Sequence, residues 1–311
     1  QRHIASDGDL YLNIRRDSYF EVNQLEVHEK YFSPQSTLGS FSTCEQSVST
    51  EAVARMLTIA VQQNETINFI GKTKVVSVFR VTQDRTEVTT RSGGRTKTSR
   101  YPCVANCLWD DKIRIDKTAG ITNTGPWILR YKAMLTISAP SVDKRKIPSA
   151  TGILGPFGDI VNHGNGTYYI SWYPLCKLAQ TLDDDGRKLH SVIHKLPARG
   201  IKRLISRYPS FSELVSPLIH KHFIESNIYA MAKYVPAVKE FLTSRSKTKV
   251  SGGVILAKGS TDIDDSESYL HQRSFIGPVA YGGYVTIDTG KYCTAPLFAL
   301  ETADIIIKIL S

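Results

Sequence analysis

The sequence predicts a mixed α/β (α+β) protein, and three stretches of the chain carry that prediction. Residues 49–64 have the apolar spacing of a helix, and a run of short β-branched strands follows them. Residues 128–173 contain aromatic and β-branched strands separated by turns with Pro and Gly, which is typical of an antiparallel sheet. Residues 284–310 have the pattern of a strand, a tight turn and a helix. We therefore expect one domain that mixes helices with strands and a second built on an antiparallel sheet.

Length and composition are those of a globular protein with a sizeable core. The chain has 311 residues, of which 41% are hydrophobic and 22% charged, so two domains or one large domain fit it. No apolar run reaches the length of a membrane span, and Gln1 is not followed by a signal peptide. The five cysteines form no Cys-x-x-Cys pair. We expect a soluble, cytoplasmic protein that makes no contact with membranes. Since the chain begins at Gln and not at Met, we expect a fragment or a processed product.

The chain is basic, with 39 Lys and Arg against 29 Asp and Glu and a net charge of +10. Such a charge attracts anionic partners, but the basic residues at 188–207 and 245–249 lack interleaved aromatic side chains. We interpret them as a solvated surface and do not expect nucleic-acid binding.

The first third of the chain predicts one helix and four strands. Ser49 is the predicted N-cap of the helix, which Asn64 ends. Apolar residues at the i, i+3, i+4 spacing predict one buried stripe, formed by Val53, Met56, Leu57, Ala60 and Val61. The strands are predicted at Ile67–Ile70, Lys74–Thr82, Thr86–Thr90 and Arg100–Ala105.

The rest of the chain divides into a sheet, a polar helical region and a terminal α/β segment. Strands are predicted at 128–137, 152–154, 167–173 and 250–257, and a helical region broken by prolines at 183–243. The predicted domains are therefore 36–116 with 250–311, and 117–249, while 1–35 stays unassigned.

Several motifs that resemble ligand sites fail on spacing. His190 and His194 have the i, i+4 spacing of a zinc pair, but Ser191 stands where a metalloprotease has Glu. Asp183-Asp-Asp-Gly186 lacks the alternating ligands of a calcium loop. Gly71-Lys-Thr73 lacks the earlier Gly of a phosphate-binding loop. We therefore expect no metal site and no such loop.

The terminal turn is the best candidate for a binding site. Asp288-Thr289-Gly290 ends the predicted strand Tyr284–Ile287, and a helix follows from Pro296 to Leu310. The N-terminal end of a helix favours an anionic or electron-rich ligand. Gly290 permits a close approach of the backbone, and Lys291 and Thr294 supply a cation and a hydroxyl. The alternative is an ordinary strand and helix of an α/β core.

The same residues carry a family resemblance. Residues 288–299, Asp-Thr-Gly-Lys-Tyr-Cys-Thr-Ala-Pro-Leu-Phe-Ala, resemble the flavin-contacting loop of FAD-dependent oxidoreductases of the D-amino-acid-oxidase and glycine-oxidase type. Residues 103–116 are similar to that family's Val-Val-Asn-Ala-Leu-Trp segment, and 268–277 to its His-x-Arg-x-x-Ile-Gly phrase. Residues 148–161 and 169–174 resemble the family's substrate-domain sheet. The resemblance covers about residues 36 to 310, in the same order.

The resemblance implies a cofactor, a reaction and a set of site residues. It implies an FAD/NAD(P)-binding-type domain, with FAD contacted by Val75, Trp109, Thr289, Gly290, Lys291 and Thr294. Lys291 would be the catalytic residue, stabilising negative charge on the reduced flavin. Candidates for orienting a small-molecule substrate are Arg273, His271, Tyr131 and Tyr173. The implied reaction oxidises a C–H bond next to an amine or hydroxyl and passes the electrons to oxygen or another acceptor.

One part of the family pattern is missing from the sequence. No Gly-x-Gly-x-x-Gly, which would bind the FAD pyrophosphate, occurs in the 311 residues. The FAD-binding-type domain is therefore expected to be partial. The alternative function is that of a non-catalytic basic α/β protein that binds an anionic polymer or a protein partner.

Overall fold

A computed structural model describes residues 10–11, 14–15, 20–43, 45–82, 85–109, 111–122, 126–153, 157–182, 217–261, 265, 268 and 276–311. The described residues divide into two compact units. The first takes its residues from Gln1–Ala60, Ala133–Cys176 and Tyr208–Gly252. The second takes its residues from Val61–Lys132, Lys177–Arg207 and Gly253–Ser311. Neither unit is therefore one continuous segment of the chain.

Helices and strands alternate irregularly along the chain. The elements up to residue 138 are β1 (Leu10–Tyr11), β2 (Ile14–Arg15), β3 (Phe20–Val22), α1 (Leu25–Tyr31), β4 (Phe41–Thr43), α2 (Thr50–Gln63), β5 (Lys74–Thr82), β6 (Arg85–Ser92), β7 (Arg95–Tyr101), β8 (Val104–Asn106), α3 (Lys112–Thr118) and β9 (Trp127–Ser138). The later elements are β10 (Ala150–Thr151), β11 (Gly158–Asn162), β12 (Thr167–Trp172), α4 (Tyr173–Cys176), β13 (Lys177–Leu182), α5 (Pro217–Ala232), α6 (Glu240–Thr243), β14 (Lys247–Lys258), β15 (Gly277–Tyr281), β16 (Tyr284–Asp288) and α7 (Ala295–Leu310).

The first unit is built on an antiparallel sheet. Strand β12 pairs with β11 on one side and with the Ala133–Ser138 half of β9 on the other, and β10 pairs with β11. Ile160, Tyr168 and Ile170 of this sheet are at most 1% exposed. Helix α5 packs on β12. The aromatic and β-branched pattern of these strands thus corresponds to a buried sheet face.

The second unit contains two small sheets and two helices. Strands β5, β6 and β7 form an antiparallel meander. Strand β16 pairs antiparallel with β15 and parallel with β8. Helix α3 packs on β5, and helix α7 packs on β15 and β16. Buried side chains from the meander, from α3 with the loop after it and from β16 form one core: Val78, Val88, Ile115, Ala119, Ile121 and Tyr284.

Strand β16 lies between two apolar clusters. Tyr284 belongs to the core beneath the meander, whereas Val285 and Ile287 pack with Phe298 of α7. All four residues from Tyr284 to Ile287 are buried. A strand covered on both faces is the usual partner in parallel pairing, and its sequence is accordingly a nearly continuous apolar run.

The predicted fold class, a mixture of helices with an antiparallel sheet, is confirmed. The helices at 49–64 and 296–310 and the strands at 74–82, 128–137 and 250–257 are present within a few residues of their predicted bounds. Three strand predictions are wrong. Ile67–Ile70 is not a strand, Arg100–Ala105 is divided between β7 and β8, and β10 ends before Gly152. The region 183–216 lies outside the described residues, and the predicted domain boundaries stay predictions.

The buried stripe predicted for α2 is wrong. Among its residues Met56 is 69% exposed and Leu57 60% exposed, and no residue of the helix is buried. The N-terminal cap is as predicted, since the amide of Ala52 donates to Ser49 Oγ over 3.4 Å. Amphipathic spacing therefore predicted the helix but not whether another element covers its apolar face. Within the described ranges every helix is too short or too polar to span a bilayer.

Candidate cofactor site

The candidate site lies at one edge of the small sheet of the second unit. Strands β8 and β16 are parallel, with Val104 opposite Tyr284 and Asn106 opposite Thr286. Because parallel strands end at the same edge, the segment that follows Asn106 and the turn that follows Asp288 both leave the sheet there. In open α/β sheets, ligands bind beyond the carboxyl ends of parallel strands. Two predicted cofactor segments, Trp109 and Thr289–Thr294, are therefore brought to the same edge.

The turn after β16 requires glycine. Gly290 has φ +61°, a conformation that other residues rarely adopt, and its amide donates to Asp288 Oδ1 over 2.9 Å. A Cβ at this position would lie 2.7 Å from Cγ2 of Ile276. The turn thus packs directly on Ile276, and Gly290 is needed for both reasons.

The turn uses several of its own polar groups internally. The hydroxyl of Thr294 donates to the carbonyl of Lys291 over 2.7 Å and also to that of Thr289. The amide of Lys291 donates to the carbonyl of Thr289. Thr294 stands at the N-cap of α7, but its side chain does not cap the first turn of the helix. Lys291 is exposed, together with Tyr292 and Cys293, and α7 begins shortly after them at Ala295.

The segment after β8 fixes Trp109 by its indole nitrogen. Trp109 Nε1 donates to the carbonyl of Val254 over 2.6 Å, and the residue is 37% exposed. Part of the ring is thus available for contact, while the polar group is already bonded. Trp109 also accepts, through its carbonyl, the amide of Lys112 at the start of α3.

An arginine links this segment to the start of β5. Arg114 makes two hydrogen bonds to Asp111, through Nε over 2.7 Å and Nη2 over 2.9 Å. Its other contacts are to the carbonyls of Val76 at 2.8 Å and Val75 at 3.3 Å. Hydrogen bonding to Asp111 raises the pKa of Arg114. Val75, a predicted cofactor contact, thus lies beside α3, and its carbonyl is bonded to Arg114.

A buried polar network lies directly behind the edge. Asp116 is fully buried and accepts hydrogen bonds from Lys112 Nζ at 2.8 Å and from Asn106 Nδ2 at 2.9 Å. It also accepts from the hydroxyls of Tyr284 at 2.7 Å and Thr286 at 2.9 Å. Burial, with the charge of Asp116 as a second cause, raises the pKa of Tyr284. The network joins α3, β8 and β16 and so fixes the two strand ends that form the candidate site.

The predicted substrate residues are only partly described. Tyr131 lies in the part of β9 that belongs to the second unit, and it is 3% exposed. Within the described part of the chain its hydroxyl has no hydrogen-bond partner, and burial raises its pKa. Tyr173 belongs to the first unit and is buried at the start of α4. His271 and Arg273 lie outside the described residues.

Sequence reasoning missed Asp116, Asn106, Lys112 and Arg114. One signal was present, because Lys112 and Asp116 have the i, i+4 spacing of a helical ion pair. Helix α3 itself has only seven residues. In addition, Asp116 and Tyr284 are 168 positions apart, so the chain pattern alone could not bring them together.

Comparisons with known proteins identify the fold. No protein-family model and no curated protein sequence matches the chain. Among solved structures, L-proline dehydrogenase from P. horikoshii superposes with a TM-score of 0.52 at 13% sequence identity, covering 86% of this chain and 58% of that one. The chain has the fold of that dehydrogenase. It spans 58% of that protein's length.

Two further structures resemble the chain less closely. The glycerol-3-phosphate dehydrogenase from Bacillus halodurans, complexed with FAD, gives a TM-score of 0.41 at 13% identity and covers 78% of this chain and 39% of that one. A flavoprotein/dehydrogenase from Cytophaga hutchinsonii gives 0.40 at 8% identity, covering 85% of this chain and 53% of that one.

Proposed function

We propose that these residues are the catalytic part of an FAD-dependent oxidoreductase of the D-amino-acid-oxidase-like class. The observation that carries the proposal is the common carboxyl edge of β8 and β16. Trp109 and the Thr289–Thr294 turn both follow strands that end there. These are two of the segments on which the family resemblance rests, and the fold is that of a dehydrogenase.

The residues at this edge suit the isoalloxazine ring of a flavin. A flavin bound here would supply a hydride acceptor for the donor C–H bond, and its reduced ring would carry negative charge. Lys291 is exposed, and the N-terminal end of α7 follows it, so both place positive potential beside the turn. We assign Lys291 to stabilising that charge, Gly290 and Thr289 to backbone contact, and Trp109 to ring contact. Thr294 acts by holding the turn, since its hydroxyl is used there.

The ADP half of FAD has fewer candidate contacts in this chain than the isoalloxazine ring. The sequence contains no Gly-x-Gly-x-x-Gly. The proposal therefore includes a nucleotide-binding unit that supplements these residues, and the 58% coverage of the proline dehydrogenase is consistent with it. Val75 is assigned a backbone contact to the adenine on the resemblance alone.

The proposed substrate contacts are side chains that can donate hydrogen bonds. We assign Tyr131 to hydrogen bonding with the substrate, because its buried hydroxyl has no partner among the described residues. Such a group is costly to bury unless a ligand pairs with it. Tyr173, Arg273 and His271 are kept as proposed substrate contacts on the resemblance alone. The substrate is a small molecule with a C–H bond next to an amine or hydroxyl, and oxygen or another acceptor takes the electrons.

Flavin titration tests the proposal. The full chain is titrated with FAD and with riboflavin to about millimolar concentration, and quenching of flavin fluorescence is measured. We expect both ligands to bind with similar, weak affinity, because the sequence has no Gly-x-Gly-x-x-Gly for the pyrophosphate and the Val75 contact alone adds little. Lys291→Ala is expected to weaken both about tenfold, whereas Lys144→Ala, at an exposed lysine of the first unit, is expected to change neither.

Two results would overturn the proposal. One is the absence of quenching by either ligand at the highest concentration. The other is equal loss in the Lys291→Ala and Lys144→Ala variants, which would indicate nonspecific attraction. Colourless protein that binds polyanions, with affinity falling steeply as salt rises, would instead favour the alternative of a non-catalytic basic binding protein.

A further inference from the structure

The segment that forms β5, β6 and β7 has a strong excess of positive charge. Residues 72–101 contain eight Lys or Arg, with only Asp84 and Glu87 against them, which gives +6 of the total +10. Sequence reasoning directed attention to 188–207 and 245–249 and missed this region. A folded sheet of the second unit is therefore a basic region in addition to these two segments.

Most of this charge is not neutralised by neighbours. Arg100 pairs with Glu87 at 2.8 Å, and Lys74 lies 3.8 Å from Asp111. Within the described part of the chain, Arg91, Arg95 and Lys97 have no carboxylate within 4.0 Å, and all three are exposed. The meander thus presents free cations to solvent.

Strand β7 is the outer strand of the meander. It has seven residues, six of them exposed, and Ser99 is the half-buried one. In the part of the chain that the structure describes, only β6 pairs with it. Its outer row of backbone amides and carbonyls is therefore open to another strand.

The cations of β7 point to both faces of the sheet. Ser99 lies opposite the buried Val88. Because every second residue of a strand lies on the same face, Arg95 and Lys97 share the face of Ser99. Arg100 lies opposite Glu87, which in turn lies opposite Phe79, on the other face. Arg100 is already paired with Glu87, so the cations of β7 that a ligand can pair with are Arg95 and Lys97, on one face of the strand.

We propose that β7 is a docking strand for an extended acidic peptide segment of a partner protein, which adds to the meander as a further strand. Backbone hydrogen bonds to the open edge would supply affinity, and carboxylates at every second position, which share one face of the added strand, would pair with Arg95 and Lys97. A second copy of β7 would bring like charges together and is disfavoured. Single-stranded nucleic acid fits less well, because the exposed rings of Phe79 and Tyr101 lie on opposite faces and form no common stacking surface.

Two peptides of equal charge test strand addition with the full chain. The first alternates Glu and Thr over about eight residues, the length of an ordinary strand, and the second alternates Glu and Pro. Fluorescence anisotropy of labelled peptides is expected to show binding of the Glu-Thr peptide at least about tenfold tighter, since proline removes ladder donors. Amide hydrogen exchange of residues 95–101 is expected to slow only with the first peptide.

A charge-reversal pair locates the surface. R95E/K97E is expected to weaken binding of the Glu-Thr peptide at least about tenfold. The matched K144E/R145E, at exposed residues of the first unit, is expected to change its affinity by no more than about twofold. Equal binding of the two peptides, unchanged exchange in β7, or equal loss in both charge-reversal variants would each overturn the proposal. Tighter binding of oligothymidylate that displaces the peptide would also overturn it and assign the meander to nucleic acid.

Discussion

Four hydrogen-bond donors from three elements converge on the carboxylate of Asp116. They come from α3, β8 and β16, and every donor residue is buried. Lys112 is only 5% exposed, so its charge depends on Asp116 for compensation. A buried charge without its partner is among the most destabilising changes in a protein.

We therefore predict that Asp116→Asn destabilises the protein by about 3–5 kcal/mol, because it leaves the Lys112 ammonium buried and unpaired. The free energy of unfolding in urea measures the effect. Asp143→Asn, which removes the half-buried carboxylate paired with the exposed Arg145 and keeps an oxygen to accept the Arg145 amide, is expected to change stability little. The double variant K112M/D116N removes both charges and is expected to recover much of the loss. A D116N variant as stable as the wild type would contradict the role given to the network.

Tyr284 gives the network a pH dependence. Burial raises its pKa above that of an unfolded tyrosine, which ionises near pH 10. The unfolded chain therefore loses this proton before the folded chain does, so the contribution is fully present below pH 10 and is lost as pH rises further. Stability of the wild type is expected to fall between pH 8 and pH 11.

The prediction for Tyr284→Phe has two parts. At pH 8 the free energy of unfolding of the variant is about 1–3 kcal/mol lower than that of the wild type, because Asp116 and Asn106 each lose a hydrogen-bond partner. Between pH 8 and pH 11 its free energy of unfolding falls less than that of the wild type, since its ring cannot ionise. Urea midpoints at the two pH values measure both parts. Tyr292→Phe, at a ring that is 51% exposed, is the control and is expected to change neither. An unchanged alkaline slope in Y284F would contradict the argument.

At the scale of elements, the turn between β16 and α7 depends on one glycine. Gly290→Ala is predicted to cost about 1–3 kcal/mol, because φ is +61° and the new Cβ would lie 2.7 Å from Ile276 Cγ2. Thermal or urea unfolding measures the loss. Gly253→Ala is the matched control, since no atom lies within 4 Å of its Cβ position and its φ is not positive.

A double variant separates the two causes of the cost. Ile276→Ala removes the clash but not the backbone strain, so I276A/G290A is expected to lose less than the sum of the single variants. Strict additivity would mean that Ile276 does not restrict the turn. Equal effects of G290A and G253A would mean that the turn has no special requirement for glycine.

The elements recovered from sequence are those with a strong local signal. Strands β5, β9 and β14 are long and rich in β-branched residues, and α7 follows a Gly turn and carries Pro at its start. Helix α3 has seven residues in which Ile113 and Ile115 alternate as in a strand, so the local pattern does not distinguish the two structures. The exposure of α2 could not be predicted, because the burial of an apolar face depends on a distant partner.

The candidate site was predicted only in part, because a sequence shows local segments but not which distant residues meet. Trp109 and Gly290 were singled out as members of segments, and the parallel pairing of β8 and β16 brings those segments to one edge. The network behind them joins residues 168 and 170 positions apart, for which one sequence offers no signal. The roles of Lys291 and Tyr131 stay predictions.

For the molecule as a whole, net charge and exposed apolar surface act in opposite directions. A net charge of +10 makes copies of the chain repel one another. Helix α7 exposes large apolar side chains, with Leu300 at 66%, Ile307 at 64% and Leu310 at 55%. Such side chains favour association once repulsion is screened.

We therefore predict self-association that increases with salt. The chain is expected to be monomeric at about 50 mM NaCl and to associate at about 1 M, where the Debye length falls to about 3 Å. Sedimentation velocity measures this. The double variant L300Q/I307Q keeps the net charge and is expected to stay monomeric at both salt concentrations, whereas A299Q/A303Q, at exposed positions of the same helix, is expected to associate like the wild type. Association that is stronger at low salt would indicate that charge attraction, and not the apolar face of α7, joins the copies.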